Sequence, residues 1–174
     1  MDTILNKHRG LLLLSLMGII HVVVAVSGVT TFNDFTTQTG VACAGFQATN
    51  MQGGVVFSAA MSDLSPLWVG AKCEAACPDE EQCGKCFNIT CTGSLDGEIT
   101  GSCSGRAIKV KIVDACPASH PANFCKIPAF GGNINPREAC EASGVNAFDI
   151  ATTARTRLSS FQGNLNIDIE PTSC

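Results

Sequence analysis

Three stretches of the chain alternate apolar and polar residues with a period of two. Residues 107–114 (AIKVKIVD) place Ile108, Val110 and Ile112 on one face and Lys109 and Lys111 on the other. Residues 86–91 (CFNITC) set Phe87, Ile89 and Cys91 against Asn88 and Thr90, and residues 164–170 (NLNIDIE) set Leu165, Ile167 and Ile169 against polar neighbours. That period predicts strands buried on one side. Residues 29–36 (VTTFNDFT), β-branched and aromatic, predict a first strand, and residues 55–61 a second. In residues 146–161 the period changes midway. Ala147-Phe148-Asp149 reads as the end of a strand. Ile150, Ala154, Leu158 and Phe161 then fall on one helical stripe, with Thr152, Thr153, Arg155 and Arg157 on the wet face. The intervening stretches 40–54, 62–82, 92–105 and 116–144 carry the glycines, prolines and turn residues of loops. Short half-buried strands, long loops and one helix predict a small closed β-barrel.

Length and composition narrow the picture. The 174 residues suit a single domain with a sizeable core, and no internal repeat or linker interrupts them. Lys7 and Arg9 precede an apolar run over 11–26, and Ala25-Val26-Ser27 offers small residues for cleavage. The layout predicts a secretory signal peptide over 1–27 and a mature domain over 28–174. An uncleaved anchor is the alternative, but a spanning helix needs ~20 apolar residues, and Gly18 and His21 interrupt this run. Removing Asp2, Lys7 and Arg9 leaves 9 basic and 14 acidic residues, which argues against a nucleic-acid surface.

All 11 cysteines follow the leader: Cys43, Cys73, Cys77, Cys83, Cys86, Cys91, Cys103, Cys116, Cys125, Cys140 and Cys174. Export predicts that they form disulfides, and their odd count leaves one over. Cys91 and Cys103 flank a turn-rich stretch and suit a hairpin bridge. Cys73, Cys77, Cys83 and Cys86 could instead face one another around zinc. Export favours disulfides and no metal. Asn88-Ile89-Thr90 is a glycosylation sequon on the outward-facing set of its strand.

His120 is the only histidine after the leader, in a loop stretch, so a Ser-His-Asp or Cys-His mechanism has little to draw on. Carboxylates remain. Asp149 sits between strand and helix, where it could cap the helix or do acid chemistry. Asp34 reads as a polar turn residue at the end of the first strand or as a base. Asp114 reads as bonded to the turn that follows it or as a sugar contact.

The order of motifs resembles the six-stranded double-psi β-barrel proteins: barwin, the expansin N-terminal domain, plant endoglucanase-like (natriuretic-peptide-like) proteins and family-45 glycoside hydrolases. Residues 83–91 (CGKCFNITC) resemble the expansin pattern C-G-x-C-aromatic-x-[IV]-x-C. Residues 108–117 (IKVKIVDACP) resemble the central strand and its turn. Phe148-Asp149-Ile150, the helix after it and the strand 165–169 resemble the H-F-D-L segment and the closing strand. Ala147 stands where expansins have histidine. Thr30-x-Phe32-x-Asp34 resembles the T-x-Y-x-D stretch of the family-45 base, with Phe32 for tyrosine.

The resemblance implies a secreted, extracellular, expansin-like protein that binds or loosens a glucan-type cell-wall polysaccharide, with no cofactor and no membrane contact after cleavage. It implies Asp149 at the site, with Thr30, Thr31, Phe32, Trp68, Asp114 and Phe148 contacting sugar. One alternative is an inverting glucan hydrolase with Asp149 as acid and Asp34 as base, which needs carboxyls ~6.5–9.5 Å apart. Another is a barwin-like defence protein, inhibitor or effector with a protein partner. The absence of tyrosine and the single tryptophan, Trp68, favour that last reading.

Overall fold

The computed structural model describes residues 24–48, 51–52, 56–69, 81–94, 103–116 and 145–174. Its strands are β1 Val26–Asn33, β2 Met51–Gln52, β3 Val56–Ser62, β4 Cys86–Ser94, β5 Ala107–Cys116, β6 Asn146–Ala151 and β7 Leu165–Thr172. They lie side by side in the order β2-β3-β5-β4-β7-β1-β6, and β6 returns to pair with β3. That return closes β3, β5, β4, β7, β1 and β6 into a barrel, which leaves these six strands no open edge to protect. β1 runs parallel to β6 and β3 parallel to β5, while the other pairs are antiparallel. The closed six-stranded order with two parallel pairs is the double-psi β-barrel expected from the sequence.

The inward alternation read from the sequence fills this barrel. Ile108, Val110 and Ile112 of β5 are buried, as are Phe87 and Ile89 of β4 and Ile167 and Ile169 of β7. Phe87 meets Phe148 edge to face, with ring centroids 5.4 Å apart. Gly28 lies where β1 passes between β6 and β7. A Cβ there would come within 2.5 Å of both the Asn146 carbonyl and the Ile169 side chain, so no larger residue fits.

Among the described residues three disulfides fasten the wall: Cys43–Cys83, Cys86–Cys174 and Cys91–Cys103. The hairpin bridge is the one expected. Cys83 and Cys86 are both spent in disulfides, which overturns the zinc alternative that needed them as thiolates. Cys73, Cys77, Cys125, Cys140 and His120 lie outside the described residues.

The segment after β6 departs from the sequence reading. Ile150 belongs to the strand, followed by a 3-10 turn, Thr152–Ala154, and one turn of helix, α1, at Arg155–Leu158. Ala154 and Leu158 are buried as the stripe predicted, but Arg155 is only 2% exposed and does not lie on a wet face. β1 starts at Val26, three residues earlier than expected, because it pairs with Ile169 from that point. The short β2, not foreseen, pairs with β3.

Candidate functional site

Strand register places four small or acidic residues in one row across four neighbouring strands. Thr31 of β1 pairs with Asp149 of β6, Asp149 pairs with Ala60 of β3, and Ala60 pairs with Asp114 of β5. Directly paired residues point to the same face of a sheet. Ile150 and Phe148, on either side of Asp149, are fully buried in the core. The row therefore occupies the outer face of the barrel wall. β5 reaches that face through a bulge: Ala59 pairs with Ile112 but Ala60 with Asp114, so Val113 is the extra residue. Without it the alternation of β5 would carry Asp114 inward beside Ile112. A bulge that re-aims one side chain is a common device beside sites.

Asp149 is 3% exposed. Its Oδ1 accepts a hydrogen bond from the Thr31 hydroxyl at 2.7 Å. Burial pushes its carboxyl up to about 7; Asp114 adds to the rise, while the Thr31 hydroxyl and Arg155 oppose it. The helix-cap reading fails. The residue at the N-cap of the 3-10 turn is Ala151, with no side-chain bond, and α1 has no side-chain cap either.

Arg155 approaches this site from behind. Its guanidinium lies 3.9 Å over the Phe32 ring and donates through Nη1 to the carbonyls of Gln162 and Gly163. Burial lowers its pKa to about 10, with Asp149 pulling the other way. A stacked, bonded guanidinium of this kind keeps one orientation. Placed on the wet face by its helical spacing, Arg155 escaped notice because the single turn of helix faces its third and fourth neighbours into the wall instead.

Asp114 is 7% exposed and its oxygens are well occupied. Oδ1 accepts from the backbone N–H groups of Ala42, at 2.7 Å, and Ala115, at 2.9 Å, and Oδ2 accepts from Gln38 Nε2 at 2.9 Å. The expected bond to Ala115 is present, but Ala115 still belongs to β5 and not to a turn; the two other bonds reach a loop more than 70 residues away, which the sequence did not disclose. At the end of β5, Cys116 is buried, and burial, Asp149, Asp114 and Asp63 all push its thiol up.

Asp34 stands apart from the row. It is exposed and caps the 3-10 turn Phe35–Thr37, with Oδ1 accepting from the Thr36 backbone N–H at 3.1 Å and from the Thr36 hydroxyl. This is the turn role that its position suggested. The residues expected to meet sugar divide in the same way. Thr31, Asp114 and Asp149 come together in the row, and they are buried too. Thr30, Phe32 and Phe148 are buried on the opposite face of their strands, and Phe32 and Phe148 belong to the core. Trp68 is also buried, so none of these aromatic rings is laid open as a stacking platform.

No known protein family matches the chain, and no curated protein does. Solved structures do align with most of it. Cerato-platanin 3 from M. perniciosa is 18% identical with a TM-score of 0.44, over 85% of this chain and 95% of that one. The GH45 endoglucanase EG27II in complex with cellobiose is 15% identical with a TM-score of 0.47, over 86% and 82%. β-1,4-D-endoglucanase Cel45A from the blue mussel Mytilus edulis is 18% identical with a TM-score of 0.48, over 86% and 80%.

Proposed function

We propose that the protein is a secreted, expansin-like barrel that grips and loosens a glucan-type cell-wall polysaccharide, with Asp149 as the working acid. The observation that carries this reading is the state of Asp149. An ordinary aspartate has lost its proton well below neutrality. Asp149, buried in the wall and pushed up to about 7, still holds it in mildly acidic surroundings. A carboxyl of that kind can donate a hydrogen bond, or a proton, to a sugar oxygen. Thr31 keeps one of its oxygens oriented. The three disulfides suit an oxidising compartment, in keeping with export by a leader over 1–27 and a mature chain from about Gly28.

A second reading, an inverting glucan hydrolase, takes Asp34 as the base. One observation favours it: Asp34 immediately follows β1, the strand whose Thr31 touches Asp149. Against it, Asp34 Oδ1 is engaged in capping its own turn. Reducing-sugar release from soluble glucans, measured beside extension of isolated walls, separates the two. Extension without sugar release supports the loosening reading; stoichiometric sugar release supports the hydrolase. Neither activity would sink both.

A further inference from the structure

We infer that Asp114 is the positioning residue of this site, coupling the loop over 38–42 to Asp149 across Ala60. The loop side of the coupling is a chain of hydrogen bonds. Asn33 Nδ2 donates to Gln38 Oε1 at 2.8 Å, Gln38 Nε2 donates to Asp114 Oδ2 at 2.9 Å, and the Ala42 N–H donates to Asp114 Oδ1 at 2.7 Å. Gln38 uses both ends of its amide, so its orientation is fixed: turning it over would set oxygen against carboxylate and NH2 against NH2. The far end of the loop is pinned as well. Cys43 donates its backbone N–H to the Val113 carbonyl and is bridged to Cys83. Loop and carboxylate are thus held as one unit.

The site side of the coupling is the strand row. Asp114 and Asp149 both pair with Ala60 and share its face. Neighbouring strands are ~4.8 Å apart, which sets the two Cα atoms about 10 Å from each other. Between them is a methyl group, with no side chain long enough to screen one carboxyl from the other. Across a poorly hydrated wall, a negative charge at that distance raises the midpoint of Asp149, by roughly one pH unit at an effective dielectric of about 20. The other described charged or titratable groups in this surrounding are Arg155 from α1, Cys116 from β5 and Asp63 just beyond β3; β1 contributes the neutral Thr31 hydroxyl. Arg155 opposes the proton on Asp149, and Asp114 favours it. Asp114 is the one of these carboxylates that the loop grips directly.

This deepens the acid reading of Asp149 and rests on it for its meaning, but its test requires no activity. Carboxyl carbons and backbone amides of the intact, disulfide-bonded chain are followed by NMR between about pH 4 and about pH 9. The Asp114 carboxyl and the Ala42 amide proton are each expected to show an inflection at the Asp149 midpoint, and Asp149→Asn should abolish both. In Asp114→Asn the Asp149 midpoint should fall by roughly one pH unit. If Asp114 only tethers the loop, Asp114→Asn lowers the melting temperature and leaves that midpoint where it was, which overturns the inference. Silence of Asp114 and Ala42 at the Asp149 midpoint in the unaltered protein overturns it too, and decides the matter should Asp114→Asn not fold. Absence of wall activity in the unaltered protein sinks the functional reading and leaves these inflections in place.

Discussion

The Thr31 hydroxyl donates to Asp149 Oδ1 over 2.7 Å, between residues that face each other directly in the β1–β6 pair. This bond favours the ionised carboxylate and so works against the burial that pushes the group up. Thr31→Val keeps the shape and removes the donor. The Asp149 midpoint should then rise beyond its value of about 7, and any activity that depends on the protonated acid should persist to higher pH. Thr31→Ser, which restores the hydroxyl, should bring both back. A carboxyl titration of the three proteins checks this; a midpoint that falls in Thr31→Val contradicts it.

Stability should carry the mark of the same group. The carboxyl of Asp149 titrates near 4 in the unfolded chain and at about 7 when folded. Between those values the native state holds a proton that the unfolded state has released, so stability falls as pH rises. The slope from this residue is at most about 1.4 kcal/mol per pH unit, complete above about pH 7. Urea unfolding across that window should show the decline in the wild type and a flatter profile in Asp149→Asn. An identical slope in both would remove Asp149 as its source.

How legible the site was depended on which residues local pattern can reach. Strands β4, β5 and β7 show in the sequence because over 87–91, 108–112 and 165–169 one face of each is buried and period two survives. Asp149 was visible for its place at a change of period. Thr31 and Asp114 were named with it, but the contacts that bring them together were not. Asp114 is brought outward by a bulge at Val113, and its contacts with Gln38 and Ala42 join segments more than 70 residues apart. Ala60 matters for having almost no side chain, which no motif records. Helical spacing assigned Arg155 to solvent because it presumed a longer helix than the four residues of α1. The core positions of Phe32 and Phe148 follow from closure of the barrel, which turns their strand faces inward.

The disulfides should differ in what they contribute. The chain-entropy estimate grows with the loop closed, giving about 2.8 kcal/mol for a 12-residue separation, about 3.9 for 40 and about 4.6 for 88. Paired Cys→Ser variants should therefore lose stability in the order Cys91–Cys103, Cys43–Cys83, Cys86–Cys174, with the last losing most. Denaturation midpoints of the three double variants measure this. A reversed order would mean that the buried surroundings of each bridge outweigh loop length.

Asn88 offers a check on strand facing. Phe87 and Ile89 on either side are buried, and Asn88 pairs with Lys109 and Glu170 on the outer face. Expressed in a glycosylating host, the secreted protein should carry a glycan there, seen as a mass shift removed by a glycosidase. An unmodified Asn88 peptide counts against that expectation.

The pair Asp149→Asn and Asp34→Asn separates the functional readings. Since Asp149 caps no helix, its asparagine variant should fold normally, with its melting temperature at acidic pH close to that of the wild type. It cannot donate a proton, and general acid catalysis is worth roughly 10²–10⁴-fold. Wall activity should accordingly fall on that scale. Asp34→Asn should behave differently. Asparagine caps a turn about as well as aspartate, so the turn Phe35–Thr37 keeps its Thr36 bond and the fold is unaffected. A hydrolase that takes its base from Asp34 loses turnover in both variants. A loosening protein loses activity in Asp149→Asn and keeps it in Asp34→Asn. The exposed, turn-capping position of Asp34 and the raised pKa of the buried Asp149 carboxyl lead us to expect the second pattern. Full wall activity in Asp149→Asn, in a protein whose Asp34→Asn counterpart is also active, would leave the acidic row a structural feature only.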